Sequence, residues 1–403
     1  MQYIVLSASN SRELKDTFVS PKSNLTAIVK TLFGVRAYFN NNRMDASMFR
    51  LIKKSTNTPM LGVDFGSSTI KAVAVSGSAD KFSIDAWAEI ATPKGSIRDF
   101  QLQDIDRISQ AFKQLLRMLP SKYKNAATAV NGSSVITKIT QVASNINQID
   151  YENIVMMEAE QLIPFPLDEV SLDFEVLGPN ITDPARNDVL ICAARSQSIA
   201  SAISVFNESD LTVKVVDVGM HALTRAVVSL EKSLLTADAN KFCAVVDIGE
   251  LSLSFGIIFQ GELIYSRLQD FGGASLTRSL ATFYNLPPEE AENVKLKGAL
   301  SSYSDIDVVN SYINQLTQHI KRNIQLFCSS SGNRTVEMLV LSGGGSLIPG
   351  LRQQLALQLE MDVRHPDPVL LYNQHKLADN FGHGAKYMTA LGLALRSFTP
   401  CQI

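Results

Sequence analysis

The sequence predicts an α/β protein built as two lobes of related topology, and three observations predict it. The chain has 403 residues, more than one hydrophobic core usually absorbs. From Met60 onward, strand-like and helix-like runs alternate, the pattern of sheets covered by helices. A short string also recurs. Gly62-Val63-Asp64-Phe65-Gly66 and Val245-Val246-Asp247-Ile248-Gly249 both read apolar strand, aspartate, apolar residue, glycine, second strand, a weak internal repeat at domain scale.

Composition narrows the function classes. Hydrophobic residues make up 45% and charged residues 19%, which is ordinary for a folded chain and excludes global disorder. A formal net charge of −2 gives no reason to expect a nucleic-acid surface. Cys192, Cys243, Cys328 and Cys401 form no CxxC pair. Cys192 and Cys243 sit in apolar runs and are expected as small buried hydrophobes in a reducing compartment. His221, His319, His365, His375 and His383 show no metal-ligand spacing, so they are expected as structural or surface residues. No apolar stretch is long enough to cross a bilayer, and the start has no signal-peptide pattern. A cytoplasmic protein is expected, with membrane contact only through a partner or a short surface contact.

Residues 1–58 are polar and rich in Asn and Ser, and they are expected as a flexible extension. Two readings of 1–47 stay open: a native extension, or codons read from an upstream start, with Met48 opening Met-Phe-Arg-Leu-Ile-Lys-Lys. Met60–Val63 and Ile70–Val75 read as strands flanking a Gly66-Ser67-Ser68 turn, and Phe82–Ile90 as a third strand. Asp104–Leu119 carries apolar residues at helical spacing: Ile105, Ile108, Phe112, Leu115 and Leu116. Ala126–Val130 reads as a short buried strand.

Residues 134–208 read as a separate α+β module. Val135–Val142 is a strand, and Asp150–Leu162 a helix stopped by Pro164 and Pro166. Val170–Leu177 is a strand, Asn180–Asn187 a polar loop, Val189–Ala194 a strand and Ser196–Phe206 a helix. Val213–Val218 returns to a buried strand and Met220–Leu230 to a helix. The opening pattern then repeats, with strands Cys243–Val246 and Phe255–Phe259.

Three glycine-bearing segments carry the chemistry. In the first, Asp64-Phe65-Gly66-Ser67-Ser68-Thr69-Ile70-Lys71, a turn glycine lets backbone N–H groups approach phosphate oxygens. Ser67 and Ser68 add hydroxyls and Lys71 a point charge. A carboxylate at Asp64 suits hydrated magnesium rather than bare phosphate. In the second, Asp247 and Gly249 repeat the logic of Asp64 and Gly66. The third runs Leu339-Val340-Leu341-Ser342-Gly343-Gly344-Gly345-Ser346 and on to Gly350. It takes a buried strand into three glycines and a helix, as expected where a nucleotide base or α-phosphate presses on main chain. No Walker A loop and no GxGxxG fingerprint is present.

In this order the three segments resemble the phosphate-1, phosphate-2 and adenosine motifs of the actin/Hsp70/sugar-kinase superfamily, over essentially all of 60–398. Within it the chain resembles the PilM family of type IV pilus assembly. Further strings carry the likeness: Glu158–Val170 with Leu172-Asp173-Phe174, Phe271–Thr277, Glu290–Lys295 and Ala390–Arg396. The resemblance implies a two-lobed actin-like ATPase fold. Subdomain 1A would be 59–133 and 209–238, 1C 134–208, 2A 239–284 and 326–403, and 2B 285–325. It implies ATP and magnesium as cofactors, with Asp64 and Asp247 organising the metal largely through water. Gly66, Ser67, Ser68 and Lys71 would hold the β- and γ-phosphates, and Gly249, Gly272 and Gly273 would approach phosphates from the second lobe. Glu292 and Lys295 would contact ribose or adenine, and Gly343, Gly344 and Gly345 would pack against adenosine. It implies a groove between 1A and 1C for the cytoplasmic N-terminal tail of PilN, a peripheral place at the inner membrane, and family chains that start near Met48. Other platform and motor proteins and self-association are further partner expectations. No catalytic residue is assigned, and at most weak ATP hydrolysis is expected.

Two residues depart from the family pattern. Leu253 stands six positions after Asp247, where relatives usually carry threonine, with Ser252 and Ser254 on either side. Glu250 replaces a small residue beside the expected phosphates. Either Glu250 points away, or triphosphate binding is weaker than in relatives. An FtsA-like cell-division scaffold, or a scaffold without nucleotide binding, is the alternative.

Overall fold

The structure is a computed structural model describing residues 59–132, 135–146, 148–180, 183–231, 241–296, 303–330, 334–368 and 384–398. The extension at 1–58 with Met48, and His375, His383 and Cys401, lie outside these residues. The chain divides into two compact units. Among the described residues, one takes in 59–63, Pro93–Gly219 and 393–398. The other takes in Asp64–Thr92 and Met220–Gly392.

The first strands are β1 (Met60–Phe65), β2 (Thr69–Ser78) and β3 (Lys81–Ala91), with a short ladder of β4 (Ile97–Arg98) and β5 (Gln101–Leu102). Helix α1 (Ile105–Arg117) starts at Asp104, whose side chain accepts from the Arg107 amide, an N-cap that satisfies one orphan donor. Its buried face is Ile108, Phe112 and Leu115, one stripe at helical period. Strand β6 (Asn125–Val130) follows and pairs parallel with β1.

Next come β7 (Val135–Ala143), α2 (Gln148–Leu162), β8 (Val170–Pro179), β9 (Arg186–Arg195) and α3 (Ser196–Ser204). The three strands form an antiparallel sheet of order β7-β9-β8. The module has its own core, made by Val142, Val155, Ala159, Ile163, Leu172, Val189, Ile191 and Ala193. The polar stretch expected as a loop over Asn180–Asn187 is partly sheet: Asn187 pairs with Pro179, and β9 starts at Arg186. Pairing with β7 as well as β8 gives these polar residues backbone partners on both sides, and that overrides their turn preference.

The rest is β10 (Thr212–Val218), α4 (Gly219–Leu230), β11 (Phe242–Ile248), β12 (Leu253–Phe259), β13 (Glu262–Gln269), α5 (Gly273–Tyr284), α6 (Pro288–Leu296), α7 (Tyr303–Ser330), β14 (Val336–Ser342), α8 (Leu351–Leu359), β15 (Asp362–Arg364) and α9 (Met388–Ala394). Two five-stranded sheets result, of order β10-β6-β1-β2-β3 and β15-β14-β11-β12-β13. The correspondence holds strand for strand. β10, β6 and β1 run parallel, as do β15, β14 and β11, and antiparallel strands follow on one side in each. The short repeat seen at Asp64 and Asp247 therefore marks a duplicated sheet topology.

Phe242–Ile248 reads almost continuously apolar and is buried along its length, as a strand covered on both faces must be. One core joins β11, β12 and β14 to α5, α7 and α8 through Val246, Phe255, Leu276, Ile313, Leu316 and Leu355. Cys192 and Cys243 are fully buried, as expected from their apolar runs. Burial, with Glu231 second, pushes the Cys243 thiol up to about 12, so it stays a protonated hydrophobe. Among the described residues no helix is long and apolar enough to cross a membrane.

Candidate functional site

Every residue singled out for the pocket falls in the unit formed by Asp64–Thr92 and Met220–Gly392. The first turn is closed by the Gly66 amide donating to the Thr69 carbonyl at 3.2 Å. A Cβ on Gly66 would lie 2.9 Å from that carbonyl oxygen, so the turn itself requires glycine. Thr92 pins it from outside: its hydroxyl donates to Gly66 O at 2.6 Å and its amide to Ser68 O at 2.9 Å. Lys71 Nζ stands 3.8 Å from Asp64 Oδ2, with side-chain exposures of 12% and 15%. Burial pushes the Asp64 carboxyl above its usual range, and Lys71 pulls it partly back.

The second turn repeats the geometry. The Gly249 amide donates to Ser252 O at 2.9 Å, again three residues on. Asp247 faces Ser254 across the β11–β12 ladder and has no lysine there. It accepts instead from the Ser342 hydroxyl at 2.9 Å, and the same hydroxyl lies 3.2 Å from Ala385 O. Burial raises the Asp247 carboxyl, the Ser342 bond lowers it, the Asp64 charge raises it and Lys71 lowers it. The Asp64 charge is therefore felt at Asp247.

Leu253 is fully buried in the core. Its counterpart after Asp64 is Ile70, equally buried. The departure from threonine thus falls on a core-facing position in both turns.

Burial raises the Glu250 carboxyl above its usual range and the Glu292 charge raises it further, while Lys295 and Ser67 lower it. The Glu250 backbone is clamped by α5, because the Gly273 amide donates to Gly249 O at 2.9 Å and the Ala274 amide to Glu250 O at 2.8 Å. A Cβ on Gly272 would lie 2.5 Å from Glu250 O and 2.7 Å from Gly249 O. Gly272 and Gly273 thus pack on the second turn. Lys295 Nζ donates to Glu292 at 2.6 Å, to Thr277 Oγ1 at 2.9 Å and to Gly273 O at 3.3 Å. Glu292 and Lys295 therefore form a closed network over the first turn of α5.

The glycine triplet divides by cause. Gly343 has φ 84°, and a Cβ there would come within 2.5–2.8 Å of the Ile248 backbone. A Cβ on Gly345 would meet the Ile248 side chain at 2.4 Å, while Gly344 has nothing within 4 Å. Two of the three glycines answer to Ile248, and only Gly344 faces open space. Ser346 donates to Gly343 O at 2.6 Å and sits 2.8 Å from His365 Nε2, so His365 is tied into this loop.

Thr277 and Ser342 are polar partners that sequence reasoning did not assign a role in the site. Their signal is only positional: each adjoins a glycine motif, and each acquires its partner through long-range packing.

Among the described residues no three His, Cys, Asp or Glu side chains gather as a metal cage. Two largely buried carboxylates, with the charge of Asp64 raising the proton affinity of Asp247 and Lys71 beside Asp64, fit a magnesium ion held largely through water. A cavity of about 440 Å³ lined by Gly95, Arg98, Gln103, Asp104, Ile105 and Asp106 lies in the other unit and holds none of these residues.

The family model for the type IV pilus assembly protein PilM matches residues 62–398. The solved PilM-PilN type IV pilus biogenesis complex is similar at TM-score 0.73 and 27% identity, over 85% of this chain and 99% of that one. The ethanolamine utilization protein EutJ of Carboxydothermus hydrogenoformans shares the fold at TM-score 0.51 and 17% identity, over 84% and 89% of the two chains. The cell division protein FtsA of Bacillus subtilis is 24% identical over 380 residues, 84% of this chain and 83% of that one. A mixed α/β architecture of actin-like type, with the duplicated turns and a family match from residue 62 to 398, leads to one conclusion: the chain belongs to the family of the type IV pilus assembly protein PilM.

Proposed function

We propose that this chain is the cytoplasmic, ATP-binding actin-like component of a type IV pilus inner-membrane assembly platform. Asp64 and Asp247 hold magnesium through water. Gly66, Ser67, Ser68 and Lys71 receive the β- and γ-phosphates, with Gly249, Gly272 and Gly273 on the other side of them. Glu292 and Lys295 reach ribose or adenine, and Gly343, Gly344 and Gly345 line the adenosine. Bound magnesium supplies charge neutralisation. The protein's part is to orient the phosphate chain between two like turns.

One observation supports this most: two largely buried aspartates stand at matching positions of two matching turns, and the Asp64 charge raises the Asp247 carboxyl. A buried like-charge pair is costly unless a cation joins it. Calorimetric titration of ATP with and without magnesium tests the reading. Magnesium-dependent binding that is lost in Asp247→Ala is expected, and its absence from the wild-type protein overturns the nucleotide claim.

The partner in this reading is the cytoplasmic N-terminal tail of a PilN protein, held in a groove between subdomain 1A (59–133, 209–238) and 1C (134–208), with 2A (239–284, 326–403) and 2B (285–325) completing the molecule. Support comes from the similar solved PilM-PilN complex and from the self-contained core of the 1C module. The partner would hold the protein at the inner membrane. Capture by an immobilised tail peptide is expected, and retained capture after excision of 134–208 counts against the groove. The FtsA likeness supports a second reading, a division scaffold; recruitment to division sites in place of pilus defects on deletion would favour it.

A further inference from the structure

We propose that Lys386 is a positioning residue for the first turn: by pairing with Glu89 it keeps that carboxylate off Lys71 and leaves the Lys71 ammonium to the phosphates. This deepens the nucleotide reading above and rests on it.

Lys71 has carboxylates on two sides. Asp64 Oδ2 stands 3.8 Å from its Nζ. Directly opposite it in the β2–β3 ladder is Glu89. Opposed residues of an antiparallel pair leave the same face of the sheet, with Cβ atoms about 4.5–5.5 Å apart. The Lys71 ammonium is directed to the turn, since a Cβ on Gly66 would lie 3.5 Å from Nζ. Glu89 is directed elsewhere: its Oε1 accepts from the Lys386 ammonium at 2.5 Å, with side-chain exposures of 31% and 23%. Asp64, Lys71, Glu89 and Lys386 thus alternate in sign within one compact unit.

Lys386 is delivered by a braced segment, the turn Gly384–Tyr387. Before it, the Ala385 carbonyl accepts the Gly343 amide at 3.1 Å and lies 3.2 Å from the Ser342 hydroxyl. After it, the buried Tyr387 meets Trp87 edge to face, with ring centroids 5.7 Å apart. An exposed ion pair is weak partly because two long side chains must be ordered. Here both neighbours already fix the backbone that carries the lysine. Removing the Lys386 charge leaves Glu89 opposite Lys71 without this partner. The carboxylate then competes with a phosphate for one ammonium, at short range and in surroundings that screen charge less than water does.

The test is calorimetric titration of the full chain with ATP and magnesium, using wild type, Lys386→Gln, Lys386→Arg, Glu89→Gln and the double variant Lys386→Gln/Glu89→Gln. Melting curves confirm that each is folded. Lys386→Gln is expected to bind ATP about tenfold more weakly than wild type, while Lys386→Arg and the double variant stay within about twofold of wild type. Glu89→Gln alone binds at least as tightly as wild type, and this arm decides even where Lys386→Gln fails to fold. A double variant as weak as Lys386→Gln, an unchanged Lys386→Gln, or a weakened Glu89→Gln overturns the assignment, because Lys386 would then not act through Glu89. Failure of the nucleotide reading looks different: wild type itself then binds no ATP, and the assignment falls with it.

Discussion

The two turns share one frame and offer different chemistry. Each places an aspartate two residues before a glycine whose amide bonds the carbonyl three residues on, and each has a buried aliphatic residue six positions after the aspartate, Ile70 or Leu253. Beyond the frame they diverge. Opposite its aspartate the first turn presents Lys71, at 3.8 Å; the second presents Ser254 and leaves Asp247 to a hydroxyl from β14. At its tip the first has serine hydroxyls, and the second has Glu250. Close backbone packing thus gives the two turns one shape, while their tips differ in the charge they present.

The largest expected effect breaks the frame. Gly343→Ala puts a Cβ into the Ile248 backbone at a residue with φ 84°, and a loss of about 3 kcal/mol or more in denaturant unfolding is expected. Leu253→Thr tests whether the departure from family threonine weakens the site. Leu253 is a core residue, so a loss of about 2–3 kcal/mol from lost packing and a buried hydroxyl is expected, with no gain in nucleotide affinity.

Asp247→Asn separates stability from ligand binding. Because burial holds the Asp247 carboxyl above its usual range, its protonated form suits the fold. The stability it contributes is full below the unfolded value and is lost as pH rises through the folded one. The amide should therefore raise the melting temperature of the ligand-free protein near neutral pH, on the order of 1–2 °C, with the gain fading in acid. Magnesium-dependent binding should disappear at every pH. An unchanged or lower melting temperature at neutral pH would show that Asp247 carries no charge-burial strain.

The smallest effect on stability sharpens the comparison between the glycines. Gly344 has open space where a Cβ would go, so Gly344→Ala should change stability by less than about 0.5 kcal/mol. Nucleotide affinity should nevertheless fall severalfold if adenosine lies there; unchanged affinity moves adenosine elsewhere.

The frame was legible in the sequence because it is local. Asp64-Phe65-Gly66 and Asp247-Ile248-Gly249 lie between apolar strands, and a glycine in such a turn has few alternatives. The extra module was equally legible: period-two runs at Val135–Val142 and Val189–Ala194, with prolines ending its first helix, mark elements by short-range chemistry. What needed coordinates is long-range. Ser342 and Asp247 are 95 residues apart in sequence, and Thr277 becomes a site residue only when α6 brings Glu292 to it at 2.5 Å. The glycine triplet was readable as a demand for small residues, and at two of its positions Ile248 imposes that demand from within the fold. Helix α7, with Val309, Ile313, Leu316 and Ile320 buried at three- and four-residue steps, carries a periodicity that the reading by segments did not follow.

The Ser342 hydroxyl has one proton and two acceptors within reach, Asp247 at 2.9 Å and the Ala385 carbonyl at 3.2 Å. It can serve only one of them at a time. The Ala385 carbonyl also receives the Gly343 amide at 3.1 Å, so a single hydroxyl links the Asp247 carboxylate to the peptide that begins the glycine loop.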